Sequence, residues 1–289
     1  MEETERRLII VSGLSGAGKT VVLNSLEDLS FYTIDNLPIS LLSELISQFS
    51  KDDTDLPGLI AIGIDARNKK KYLDQLPEKI KSFLNKRVKI ELIYIDANDE
   101  ILTKRFSETR RKHPLSSDQM SLLDAIHKER EITLEISQVS DLHIDTSFMQ
   151  LKELRDIVCE RIARRKKSIL SLQLISFGYK NGVPKDSDFI FDLRCLPNPY
   201  WEKFLRQYSG KDEPVIEFLL KQKSVTQMLS DLEIFFERWL PRFEMDNRSY
   251  LTIGFGCTGG HHRSVFIVEQ LAKKFMREQR QVIIRHRDL

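Results

Sequence analysis

Eight residues, Gly13-Leu14-Ser15-Gly16-Ala17-Gly18-Lys19-Thr20, follow directly on the apolar run Leu8-Ile9-Ile10-Val11 and leave few folds open to this chain. The octet matches G-x-x-x-x-G-K-[ST], and the β-branched run before it reads as a buried parallel strand. Val21 to Leu29 has helical spacing, so the glycines stand between a strand and a helix, the context that gives the pattern its meaning. Such a loop turns its backbone N–H groups inward at phosphate oxygens, and the helix N-terminus adds the positive end of its dipole. Lys19 is then expected to reach the β and γ phosphates of a nucleoside triphosphate, and Thr20 to offer its hydroxyl to Mg2+.

Further short apolar runs at Phe31 to Ile34, Leu59 to Ile64, Ile90 to Ile95 and Leu142 to Ile144 lead into Asp35, Asp65, Asp96 and Asp145. Longer amphipathic stretches separate them. The alternation predicts a parallel sheet flanked by helices, with all four aspartates on the carboxyl edge where ligands bind. Asp35 and Asp96 both qualify by position to assist Thr20 with Mg2+, and Asp65 is a third candidate, followed by Arg67. Any of them fits a helix cap or turn equally well. Lys104-Arg105 and Arg110-Arg111-Lys112-His113-Pro114 suit a basic lid over the phosphates, while most of the charge between Glu100 and Glu131 reads as a solvated helix face.

A closing helix is expected over Leu151 to Lys167, ending in five basic residues between Arg161 and Lys167, and the domain boundary is placed there. The reading is therefore α/β throughout: a P-loop NTPase or kinase-like parallel-sheet domain over 1–165, then a second α/β domain over 166–289. In the second, Ser171 to Phe177, Phe189 to Leu193, Tyr250 to Phe255 and Gln281 to Ile284 read as strands, Val225 to Trp239 and Ser264 to Met276 as helices. Cys257-Thr258-Gly259-Gly260-His261-His262-Arg263-Ser264 again lies between strand and helix and forms a second anion cradle by the same physics. Its Cys-x5-Arg-Ser pattern also matches the loop of cysteine-dependent phosphatases, in which Cys257 would be the nucleophile and Asp192, near Arg194, the general acid. A binding loop without chemistry accounts for the same residues.

The chain carries 45 Lys and Arg against 43 Asp and Glu, a net charge of +2, so no polyanion is attracted by the whole surface. Local charge carries that argument instead: Lys273, Lys274, Arg277, Arg280, Arg285 and Arg287 give the C-terminal domain a basic character suited to RNA backbones, or an ordinary cationic helix face. Three widely spaced cysteines suit a reducing compartment, no run is long enough for a membrane helix, and the acidic N-terminus is unlike a secretory leader. A cytoplasmic protein with no membrane partner is expected.

Gly13 to Thr20, Phe31-Tyr32-Thr33-Ile34-Asp35-Asn36-Leu37-Pro38, Asp65-Ala66-Arg67-Asn68, Leu196-Pro197-Asn198-Pro199-Tyr200-Trp201, Asn247-Arg248-Ser249-Tyr250-Leu251 and Gly256 to Ser264 together resemble the RapZ/YvcJ family of bacterial nucleotide-binding proteins, in order and over essentially the whole chain. The resemblance implies ATP binding at Gly13 to Thr20, a GTP-associated segment at Asp65 to Asn68, weak nucleotide hydrolysis and self-association. It also implies an RNase adapter that presents a small regulatory RNA to an endoribonuclease, with glucosamine-6-phosphate sensed at Cys257 to Ser264. A small-molecule kinase and a cysteine-dependent phosphatase are the alternatives from other classes.

Overall fold

A computed structural model of the chain describes residues 6–51, 54–68, 70–83, 88–117, 119–163, 170–246 and 248–289. The chain divides into two compact units, Met1–Arg164 and Arg165–Leu289.

The first unit is built on five parallel strands: β1 (Arg6–Gly13), β2 (Tyr32–Ile34), β3 (Leu59–Gly63), β4 (Val88–Asp96) and β5 (Leu142–Asp145), in the order β2-β3-β1-β4-β5. Its helices are α1 (Lys19–Asp28), α2 (Ile39–Phe49), α3 (Lys70–Leu73), α4 (Leu76–Phe83), α5 (Asp99–Thr109), α6 (Leu122–Gln138) and α7 (Leu151–Ile157). Leu8, Ile9, Ile10 and Val11 are fully buried, because a central parallel strand has a helical layer on each face. The β1–β4 register pairs Gly13 with Ile95, so β1 and its glycine loop end level with β4 at the sheet's carboxyl edge. After α7 the chain continues as a π-helical turn, Val158–Ala163.

The second unit repeats the principle with four parallel strands, β6 (Ser171–Gly178), β7 (Phe189–Asp192), β8 (Tyr250–Cys257) and β9 (Gln281–His286), ordered β7-β8-β6-β9. Its helices are α8 (Glu213–Leu220), α9 (Lys223–Met245) and α10 (Arg263–Arg277). Phenylalanines fill its core: Phe191 stacks on Phe255 at 5.5 Å, and Phe236 meets Phe275 edge-on at 6.1 Å. Of the expected basic run, Arg161 is buried within the first unit, while 164–167 lie outside the described residues, as does Asn247. No described helix is long and apolar enough to cross a membrane.

Candidate functional site

The loop between β1 and α1 holds its shape through backbone that only glycine accepts. Gly13 has φ +137°, and a Cβ there would stand 2.0 Å from the carbonyl oxygen of Ile95. Leu14 N–H donates to that same oxygen at 3.0 Å, which pins the loop to β4. Gly16 and Gly18 also have positive φ, and α1 begins at Lys19. The Lys19 ammonium donates to Gly13 O at 2.7 Å. Burial lowers its pKa, opposed by the carboxylates of Glu129, Asp65 and Asp35.

Most of the charge between Glu100 and Glu131 was expected on a solvated helix face, and Glu129 departs from that expectation. It is wholly buried on α6. Its Oε2 accepts from Ser15 N–H at 2.8 Å and lies 2.9 Å from His113 Nε2, while Oε1 accepts from the Ser15 hydroxyl at 2.8 Å. His113, expected in a basic lid, is buried in the same contact, while Arg110, Arg111 and Lys112 are exposed. The missed signal was spacing: Ala125, Ile126, Glu129, Thr133 and Ile136 form one helical stripe, so Glu129 sits where α6 faces the core.

Thr20 and Asp35 are both exposed, and the Asp35 carboxylate is near enough to Lys19 to raise its pKa. Asp35 reaches over β3, since a Cβ on Gly63 would stand 2.8 Å from its Oδ1. Two hard oxygen donors fit Mg2+, which takes its other ligands from phosphate and water. No cluster of three or more His, Cys, Asp or Glu side chains able to hold a metal occurs among the described residues. Asp96, the other candidate, is engaged elsewhere: Arg130 Nη1 bonds both its oxygens at 2.9 and 3.0 Å, and Ala97 N–H donates to it at 2.7 Å. Burial would raise its pKa, but His143 and Arg130 outweigh that and hold it below the usual carboxylate range.

Asp65, Ala66, Arg67 and Asn68 form a self-bonded turn after β3. Asp65 accepts from Arg67 N–H at 3.0 Å and from its Nε at 2.8 Å, and Asn68 Oδ1 accepts from Ile39 N–H at 2.9 Å at the start of α2. This turn and Lys19 share one edge of the sheet.

In the second unit β8 runs into Thr258 to His262 and then α10. Cys257 is buried, its Sγ accepting from Gly260 N–H at 3.2 Å and lying 3.2 Å from Ser264 Oγ. Burial would raise the thiol's pKa, yet these hydrogen bonds and the charge of Arg263 bring it below its ordinary value. Arg263 is buried and fixed by donation to Leu196 O at 2.8 Å, Arg194 O at 3.0 Å and Thr258 Oγ1 at 3.2 Å. A cavity of about 510 Å3 opens beside it, lined by Arg194, Cys195, Asn198, Trp201, Thr258 and Arg263 among others. His262 packs edge-on against His261 at 5.1 Å, and burial lowers its pKa. Gly178 backs the loop: a Cβ there would stand 2.5 Å from the carbonyl carbon of Gly259. Asp288, which sequence reasoning missed, accepts from Gly178 N–H at 2.6 Å.

The six basic residues singled out for RNA do not form one free surface. Lys274 is paired with Glu233 and Glu237, Arg280 with Glu244 and Glu278, and Arg285 lies 3.8 Å from Asp186. Arg287 is half-buried with its side chain turned inward, and it donates to Gly178 O at 3.0 Å. Lys273 and Arg277 stand exposed on α10. Asp192 is held by Arg194 through hydrogen bonds of 2.6 to 3.0 Å, which lower its pKa.

These features define a parallel-sheet α/β unit with a P-loop, followed by a second parallel-sheet α/β unit with a cradle of similar construction. The RapZ-like N-terminal domain matches residues 6–166 and the RapZ C-terminal domain matches residues 170–289. The chain belongs to the RapZ family. It is 49% identical over 283 residues to a nucleotide-binding protein of Alcanivorax borkumensis, covering 98% of this chain and 100% of that one. To a nucleotide-binding protein of Pseudomonas putida it is 45% identical, again over 98% and 100%. Among solved structures, shikimate kinase from Acinetobacter baumannii in complex with shikimate is similar with a TM-score of 0.37 and 15% identity, covering 56% of this chain and 96% of that one.

Proposed function

We propose that this chain is a nucleotide-binding regulatory protein that takes ATP or GTP with Mg2+ in its first unit and a phosphorylated sugar in its second. One observation carries this reading: each unit sets a strand, a glycine loop and a helix at the end of a central parallel strand, one with Lys19 and one with Arg263 to meet phosphate. Gly13 to Thr20 would hold the triphosphate, with Thr20 and Asp35 on the metal and Asp65 to Asn68 beside them. Bound Mg2+ supplies charge neutralisation between phosphate oxygens.

Family membership supports the finer role: an RNase adapter that binds a small regulatory RNA, presents it to an endoribonuclease and responds to glucosamine-6-phosphate at Cys257 to Ser264, self-associating and hydrolysing nucleotide slowly. The test is binding of purified protein to a panel of small structured RNAs at several salt concentrations, with and without glucosamine-6-phosphate, against Lys273→Ala/Arg277→Ala. Selective binding that weakens in the variant and responds to the sugar phosphate supports the adapter. Binding that is absent, or indifferent to RNA identity, sinks it.

The P-loop kinase-like fold favours one second reading, a small-molecule kinase, which predicts phosphoryl transfer stimulated by an acceptor. The phosphatase reading is weaker, since a general acid must carry a proton and Asp192 is held ionised by Arg194.

A further inference from the structure

We infer that Glu129 is an autoinhibitory anion, a carboxylate set against Ser15 of the phosphate loop that an incoming triphosphate displaces, releasing His113 with it. The inference rests on nucleotide binding at Gly13 to Thr20 and concerns how that site is regulated. Three N–H groups of the loop have partners within the chain: Leu14 donates to Ile95 O at 3.0 Å, Ala17 to Leu14 O at 3.1 Å, and Ser15 to Glu129 Oε2 at 2.8 Å. The first two bonds run between backbone groups and set the shape of the loop. The third ends on a charged side chain, which can leave without unmaking the fold, and the Ser15 hydroxyl donates to its other oxygen at 2.8 Å. Charge sets this occupant against phosphate. The buried Lys19 ammonium has its pKa lowered by burial, and Glu129 is foremost among the carboxylates that oppose this, so it stands within electrostatic reach of the group that meets phosphate. A triphosphate on Lys19 and a carboxylate on Ser15 repel each other where little water screens them.

His113 carries the displacement to the surface. Its Nδ1 accepts from Leu115 N–H at 3.1 Å, which leaves Nε2 as the protonated nitrogen, and this donates to Glu129 Oε2 at 2.9 Å. That oxygen is the one that accepts from Ser15 N–H, so a single atom ties both segments together. The ring is buried and tilted against Phe106 at 5.1 Å. Arg110, Arg111 and Lys112, the three residues before it, are exposed. Arg110 ends α5 in the left-handed conformation at φ +52°, a bend that turns the chain out of the helix. The basic segment is thus held at one end by this cap and at the other by the His113 ring. Once Oε2 leaves, the second hold is lost, and occupancy of the phosphate loop is displayed on the surface as a freed stretch of three cations.

Calorimetric titration of the full chain with a non-hydrolysable ATP analogue and Mg2+ tests the competition, because displacement and affinity are reciprocal. Glu129→Gln keeps the shape of the side chain and removes its charge, and it should bind the analogue about tenfold tighter than the unaltered chain. A carboxylate that only braces the loop predicts the opposite sign, so equal or weaker binding by the variant overturns the inference. The second readout needs no variant. Trypsin cleavage after Lys112, followed by mass spectrometry, should quicken about tenfold when the analogue is bound, since the bond to His113 is shielded while the ring is buried. Cleavage that the analogue leaves unchanged or slows overturns the release of His113. If the analogue binds neither the unaltered chain nor Glu129→Gln, the nucleotide reading of Gly13 to Thr20 fails first and this inference falls with it.

Discussion

A carboxylate buried against a phosphate loop is an expensive arrangement, and at Glu129 it is sustained by three hydrogen bonds to Ser15 and His113. Glu129→Ala should therefore cost about 3 kcal/mol or more, since Ser15 N–H, its hydroxyl and the His113 ring lose their partner together. Chemical denaturation measures this, and Glu129→Gln should recover part of the loss. Asp96 gives a prediction of a different kind. Its folded pKa lies below the unfolded value of about 3.9, so the stabilisation from Arg130 is complete at neutral pH and fades as pH falls below about 4. Arg130→Leu should cost about 3–5 kcal/mol at pH 7, and the gap to the unaltered chain should narrow in acid. A constant gap across that range would show that Asp96 is not held by Arg130. Neither partner was legible in the sequence: Glu129 lies 114 residues from Ser15 and Arg130 lies 34 from Asp96, and local spacing does not report which charged residues a fold brings together.

Helices and strands were far easier to read. The run at Leu8 to Val11 extends to β1 at Arg6–Gly13, and the runs at Leu59, Ile90 and Leu142 become β3, β4 and β5, because buried parallel strands need continuous apolar sequence. Both glycine loops fall between their expected strand and helix. Reading failed where helical spacing continued through a change of helix type: Leu151 to Lys167 looked like one helix, but the described part turns from α to π at Val158. Nor did it report the carboxylate partners of Lys274, Arg280 and Arg285, which come from α9 and from the segment between β6 and β7. At this scale Gly178 is the decisive position. A methyl group there meets the backbone of Gly259 and Gly260, so Gly178→Ala should destabilise the second unit by about 1–3 kcal/mol and weaken its phosphate binding. Thermal unfolding with and without inorganic phosphate tests both parts, and an unchanged phosphate response would clear the loop of any dependence on β6.

Each unit has its own core, one drawn from β1, β3, β4 and their helices and the other from β6, β8, α9 and α10. A ligand that binds only the folded form adds about 2.7 kcal/mol at a hundredfold excess over its Kd. Hydrogen exchange should then show ATP with Mg2+ slowing amides in β1, β3 and β4, and glucosamine-6-phosphate slowing those in β6 and β8. Protection spread evenly over both sheets by either ligand would contradict two separately seated sites. The strand order also sets a timetable for synthesis. All five strands of the first sheet have emerged by Asp145, so that unit can close while the rest is still being translated. The second sheet waits: β6 is flanked by β8 and β9, and the bond from Gly178 to Asp288 spans 110 residues. Until β9 leaves the ribosome, one edge of β6 stands open, and the newborn second unit depends on whatever shields that edge in the interval.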